Sequence, residues 1–320
     1  MKSPVVLRKI QTYDVDAIES FVQDTVCSLG EGKPIFRPGQ RVLLKPNLLR
    51  GASPEQCVTT HPAVVEAVCR VLRDSGVSRI DLSDSPAMGS LKHAAQQAGY
   101  SPLAKRYGLR ITAFSNPVAL RTEGIDHLKI SGDLQQYDRV VNLPKFKSHR
   151  QMTLTLGIKN LFGCVIGKRK PVLHCLVKND KIRFGRMLVD IARHVNPCLT
   201  LVDGIWAMQG NGPINGTPYS LGLMAGAKDL TALDRILADI AGVPVKRVYV
   251  LEAARQKKFG CYDLEQIEMR GESHWQALRV TDFRLADFEL AISFNPVHLF
   301  KSFAKHVYEI GWKEKLAGKV

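Results

Sequence analysis

No Cys-x-x-Cys pair occurs in this 320-residue chain, although it holds seven cysteines. They stand dispersed at 27, 57, 69, 164, 175, 198 and 261, which excludes a zinc ribbon and argues against a disulfide scaffold. Reduced, mostly buried thiols in a cytoplasmic protein are the expectation. A run of about 18 apolar residues is also missing, so no membrane span and no membrane partner is expected. The opening MKSPVVLRKIQTYDVD passes from a short apolar run directly to polar residues, unlike a secretory signal. The phosphate loop, the dinucleotide Gly-x-Gly-x-x-Gly, the Gly-x-Ser-x-Gly elbow and His-Glu-x-x-His are absent too, and the chemistries that need them lose their signature. Acidic residues are scarce: 30 against 45 Lys plus Arg, a formal net charge of +15.

What remains is an ordinary globular composition arranged as alternating strands and helices. At about 150 residues per domain the length allows two domains or one large α/β unit. A boundary near Asn196-Pro197 divides the chain into an α/β domain over 1–196 and a smaller one over 197–320. Arg41–Leu44, Ser78–Leu82, Arg139–Leu143 and Leu199–Val202 read as strands, with later ones at Ser220–Ala225, Arg247–Leu251 and Glu289–Phe294. Helices are expected after Thr60-His61-Pro62, where Val64, Val68 and Leu72 share a face, and over Phe184–His194. The tail Lys301–Val320, with several lysines around Trp312, reads as a basic amphipathic helix. The expected architecture is a mainly parallel sheet with helices on both faces, in two lobes flanking a cleft.

In such sheets ligands bind beyond the carboxyl ends of the strands. Four strands here end in polar residues with Pro or Gly: Lys45-Pro46-Asn47, Ser83-Asp84-Ser85-Pro86, Asn142-Leu143-Pro144-Lys145 and Asp203-Gly204. A shared site would gather Lys45, Asn47, Asp84, Ser85, Asn142, Lys145 and Asp203, with Asp203 as a candidate catalytic carboxylate. The competing reading is that these residues end strands and cap helices. The loop Gly210–Pro218 could cradle an anion with its backbone, or simply connect two elements.

Between Arg139 and Arg193 stand 13 basic residues, opposed only by Asp180 and Asp190. Such an excess attracts anions: a small carboxylate, a phosphorylated cofactor or, as second choice, nucleic acid. Within it His149, Lys159 and His174 are spaced by ten and fifteen residues among glycines at 157, 163 and 167. Histidine is a frequent ligand of transition metals, and a lysine in cationic surroundings can become a nucleophile or covalent anchor. Lys145, Lys147 and Arg150 would hold anionic groups of a cofactor or substrate.

VLLKPNL, TTHPAVVEAV, NLPKFKSH, GIKNLFG and VDGIWAMQGNGP together resemble the domain-of-unknown-function 362 family, from about Arg41 to Gly242. Many of its members carry a four-cysteine iron–sulfur module, which this chain lacks. More distantly, the His149, Lys159, His174 order is similar to the nickel-pincer lactate racemase family. That resemblance implies Lys159 as covalent anchor of a pincer cofactor, His174 as nickel ligand and His149 as acid/base. Asp84-Ser85-Pro86 stands where that family has its second acid/base histidine. Three functions follow as expectations. The first is a metal- or covalent-cofactor enzyme acting on a small carboxylic or hydroxy acid. The second is an RNA or polyanion binder. The third is an iron–sulfur accessory protein built on Cys164, Cys175 and His174.

Overall fold

Among the described residues, most short apolar runs with polar ends become strands that pair into one sheet. The computed structural model describes residues 2–123, 125–166, 173 and 180–287. The first elements are β1 (Ser3–Lys9), α1 (Val15–Gly30), β2 (Arg41–Pro46), α2 (Pro62–Asp74) and β3 (Arg79–Leu82). Next come α3 (Leu91–Gln97), α4 (Ser101–Tyr107), β4 (Arg110–Ile111), and a separate hairpin of β5 (Pro117–Thr122) and β6 (Ile125–Ser131). The middle of the chain forms β7 (Arg139–Leu143), β8 (Lys145–His149), β9 (Thr153–Thr155) and α5 (Gly157–Asn160). The last are α6 (Lys181–Val195), β10 (Leu199–Gln209), β11 (Thr217–Ala227), α7 (Leu230–Ile240), α8 (Tyr249–Gln256) and β12 (Ile267–Gly271). Helix starts follow capping chemistry: the carboxylates of Asp14, Asp180 and Asp229 accept first-turn N–H groups, and Pro62 opens α2.

One mixed sheet runs in the order β12-β1-β11-β10-β7-β2-β3-β4, and β8, flanked by β9, pairs with the far half of β10. Most pairings are parallel; β11 is antiparallel to both its neighbours. Successive β2 residues face opposite sides. Val42 and Leu44 pack with Ile18, Phe21, Val64 and Leu72 of α1 and α2. Leu43 joins Leu188 and Leu237 of α6 and α7 on the other face. The expected α/β architecture is the one observed.

The strand expected at Arg247–Leu251 is not formed. Arg247 ends a short 3-10 turn and α8 begins at Tyr249, with Val250, Leu251, Ala253 and Ala254 buried. A four-residue apolar run cannot by itself separate a buried strand from a helix; here the buried positions recur at helical spacing. Strands β10 and β11 extend well past the ranges read from sequence. Asn196 caps α6, and strands from both sides of it join the same sheet. The expected strand Glu289–Phe294 and the basic tail lie outside the described residues.

Candidate active site

Strands β2 and β7 are buried as they reach the carboxyl edge, as is β10 from Leu199 to Ile205, and the chain turns polar there without leaving the interior. Lys45, Lys145 and Lys147 have no exposed surface, and Asp84 and Asp203 are buried beside two of them. Buried charge is tolerated only where it is paired and hydrogen-bonded.

The first pair is Lys45 and Asp84, 3.1 Å apart. Lys45 Nζ also donates to Pro46 O, and Asp84 accepts from the backbone N–H groups of Leu48 and Ser85. Gly163 presses on this pair so closely that a Cβ there would lie 2.1 Å from Asp84 Oδ1 and 2.4 Å from Lys45 Nζ. Only glycine fits.

The second pair is Lys145 and Asp203, 3.0 Å apart and in register across β8 and β10. Lys145 Nζ donates to Tyr13 Oη at 2.6 Å, and Tyr13 donates to Asp203 Oδ1 at 2.9 Å. The His61 backbone N–H supplies a further donor to Asp203. Burial, reinforced by the Asp203 carboxylate, pushes the Tyr13 phenol far above its usual range. The His61 ring stacks on Tyr13 with centroids 3.5 Å apart and planes 7° from parallel. His61 Nδ1 accepts the Ala63 N–H, so the neutral ring carries its proton on Nε2. Burial lowers His61 to about 4, which keeps it neutral.

Lys147 has no carboxylate partner in its hydrogen bonds: its Nζ donates to Asn47 Oδ1 at 2.8 Å and to Val58 O at 2.7 Å. Burial, together with Lys159 and Lys145 nearby, lowers its pKa well below the usual lysine value. Burial and the neighbouring cations thus favour the neutral amine, whose two donated N–H groups would leave a lone pair for base or nucleophile chemistry. Asn47 bonds Asn160, and Asn160 bonds Asn142 and Lys45 O, so side-chain amides tie β2, β7 and α5 together. Asn142 in turn donates to Gly157 O. Asp234 on α7 accepts the N–H groups of Gly157 and Ile158 and so fixes the start of α5; burial pushes it up to about 7.

Of the residues singled out in the sequence, the structure brings Lys45, Asn47, Asp84, Asn142, Lys145, Lys147 and Asp203 into this network. Ser85 enters through its backbone N–H. His149 ends β8, and its Nδ1 accepts the N–H groups of Gln151 and Met152. Lys159 on α5 is partly buried, with Nζ 5.1 Å from the Phe162 ring centroid, and its charge disfavours a proton on Lys147 more than any other neighbouring charge does. Arg150 follows β8 and is partly buried. His174 and Cys175 lie outside the described residues. Among the described residues no three His, Cys, Asp or Glu side chains gather as a metal site, and six cysteines are free thiols.

Sequence reasoning missed Tyr13, His61, Asn160 and Asp234. The Thr60-His61-Pro62 helix start was visible, but as a cap. Asn160 sits beside Lys159, and Asp234 lies on the same α7 face as Leu230 and Leu237, a carboxylate where an apolar residue is expected. The Gly210–Pro218 segment holds the turn between β10 and β11, where Ser148 Oγ donates to Gly210 O. A cavity of about 210 Å³ lies at the opposite edge, lined by Tyr137, Arg139, His194 and Cys198 among others, and shares no residue with the lysine cluster. Burial pushes the Cys198 thiol there up to about 12, which disfavours the thiolate.

Residues 42–239 match the family model described as domain of unknown function (DUF362). A thylakoid-associated protein of Synechocystis sp. is 36% identical over 317 residues, covering 99% of this chain and 98% of the relative. Among solved structures, the lactate racemase apoprotein from Thermoanaerobacterium thermosaccharolyticum superposes with a TM-score of 0.42 at 12% identity. That match covers 70% of this chain and 54% of the racemase, so the chain spans about half the racemase's length. The likeness is distant. No helix among the described residues is long and apolar enough to cross a membrane.

Proposed function

The chain belongs to the domain-of-unknown-function 362 family, and we propose that it is an enzyme acting on a small anionic substrate, a carboxylic or hydroxy acid, at the carboxyl edge of its sheet. The observation that carries this reading is the gathering of three lysines without exposed surface around only two carboxylates. With Lys147 neutral the two lysine–carboxylate pairs balance, and an acid that binds as its anion while giving a proton to Lys147 keeps that balance in the low-dielectric interior. Lys45 and Lys145, held by Asp84 and Asp203, supply fixed positive charge. Lys147 supplies the neutral amine that takes a proton or attacks a carbonyl, and Lys159 supports it by disfavouring its protonation.

His149 is the candidate to move a second proton, and Tyr13 links the Lys145–Asp203 pair to the partly exposed His61 ring. Lys159 remains the proposed anchor for a covalently held cofactor. Substituting Lys159→Ala in protein from the native source would then abolish any bound chromophore, whereas an unchanged spectrum removes the anchor role. The RNA-binding alternative would rest on other residues of the basic stretch, since Lys145 and Lys147 present no charge at the surface. A cytoplasmic location goes with the reading and is supported by the six free thiols. Its competitor is attachment to a membrane face, as the relative's name raises, and cell fractionation separates the two.

The test is solvent exchange of carbon-bound hydrogen, at C2 of a 2-hydroxy acid or C3 of a 2-oxo acid. Protein purified from its native source is incubated in D2O with a panel of small 2-hydroxy and 2-oxo acids, and deuterium uptake is followed by NMR. The reading predicts enzyme-dependent exchange with at least one acid, lost on Lys147→Met. Absence of exchange across the panel, or exchange untouched by the substitution, contradicts it.

A further inference from the structure

Among the described residues, several partly buried guanidinium groups are held by carboxylates. Arg70 bonds Asp16, Glu19 and Glu66; Arg79 bonds Asp81; Arg270 bonds Glu268. Arg50 and Arg150 break that pattern. Both are partly buried, both have Nε sealed from solvent without a hydrogen-bond partner, and neither makes an ion pair among the described residues. Arg235 also has a sealed, unpartnered Nε, but its charge is met by Asp239 at 3.5 Å. A sealed guanidinium donor without a partner is costly to keep, and a planar or tetrahedral oxyanion is the group that its fork fits.

The two arginines also sit in matching places. Asn47 and Lys147 are joined by a 2.8 Å hydrogen bond, and Arg50 and Arg150 each follow that bond by three residues. Three residues span at most about 11 Å, so both side chains start within a small molecule's length of the lysine cluster. Their turns are pinned at the rim. Leu49 O accepts from Ala87 in the loop after β3, and the Arg150 N–H donates to Gly212 O in the β10–β11 turn.

We propose that Arg50 and Arg150 form a clamp for an oxyanion group, carboxylate or phosphate, on a small ligand whose other end lies at the lysine cluster. The inference rests on the reading of that edge as an anion-handling active site, and deepens it: the ligand carries an oxyanion apart from its reacting carbon. Arg150 was legible in the basic stretch. Arg50 was not, because it lies outside that stretch.

The test uses the intact chain at low ionic strength, with malonate and inorganic phosphate as separate probes in isothermal titration calorimetry. Wild type is expected to bind at least one probe. Arg50→Gln and Arg150→Gln are each expected to weaken it by about tenfold or more. Arg→Lys at either position should also weaken binding, because an ammonium keeps the charge but not the fork; these variants carry the test if the Gln forms fail to fold. Arg121→Gln, on the exposed face of β5, should bind as wild type does. Preference for malonate identifies a carboxylate ligand, and preference for phosphate a phosphorylated one. Wild-type binding of neither probe, or unchanged affinity in the Arg50 and Arg150 variants, overturns the clamp. If only Lys147→Met loses binding, the clamp fails while the active-site reading stands. If the arginine variants lose binding but Lys147→Met does not, and no acid exchanges in D2O, the clamp stands and the active-site reading fails.

Discussion

Strand β2 carries a cation at each end, and the two ends behave differently. At its start, Arg41 meets Asp138 with both side chains well exposed, 46% and 39%. At its carboxyl end, Lys45 meets Asp84 with 0% and 6% exposure. Separation across the two pairs is nearly the same, 3.2 and 3.1 Å. What differs is the medium. Water screens the first pair and can replace either partner, whereas loss of one partner in the second leaves a charge stranded in the interior. A surface pair of this kind adorns a fold. A buried cluster with more lysines than carboxylates costs stability, and such a cost is commonly met at sites kept for function.

The contrast can be broken most severely at its carboxyl end. Lys45→Met should lower unfolding free energy by about 3–5 kcal/mol in urea titration, because Asp84 loses its cation. Gly163→Ala should approach that loss without touching either charge, since the new methyl would occupy the space of the pair. Arg41→Met, by contrast, should leave the urea midpoint within error of wild type. An equal loss at Arg41 and Lys45 would dissolve the comparison.

Two titrations sharpen it. His61 is neutral in the fold and lowered to about 4 by burial. Unfolded chains therefore bind more protons between about 6.5 and 4, and the stability it contributes is lost as pH falls through that window. Asp234 has the opposite sign: its folded value is raised to about 7, so its contribution is lost as pH rises from about 4 to 7. His61→Asn, which keeps a capping side chain, should flatten the first slope, and Asp234→Asn the second. Unfolding free energy measured at intervals from pH 4 to 8 separates them; slopes unchanged by either substitution would contradict these assignments.

How much of this was legible follows from which signals are local. Lys45, Asp84, Asn142 and Asp203 each terminate a short apolar run, so their convergence at one edge follows from a parallel sheet alone. Tyr13 reaches Asp203 from 190 positions away, through a β1–α1 connection that no local pattern ties to β10. Asp234 acts from the neighbouring helix on α5, a contact created only when α7 packs on that face. The apolar run around Val248–Leu251 satisfied two templates at once, and tertiary packing chose the helix. Arg50 carries no local signal in sequence, since what marks it is a sealed Nε without a hydrogen-bond partner among the described residues.

The central claim is that the lysine cluster contains a neutral amine, Lys147, among fixed cations. It is tested most directly by unfolding free energies of wild type and Lys147→Met, measured side by side from pH 7 to 10. With Lys147 protonated when unfolded and neutral when folded, wild-type stability gains on the variant by about 1.4 kcal/mol per pH unit until the unfolded lysine titrates. A gap that grows with pH at that rate supports the account. A constant gap would mean that Lys147 is charged in the folded protein, and the neutral amine would be lost from the mechanism.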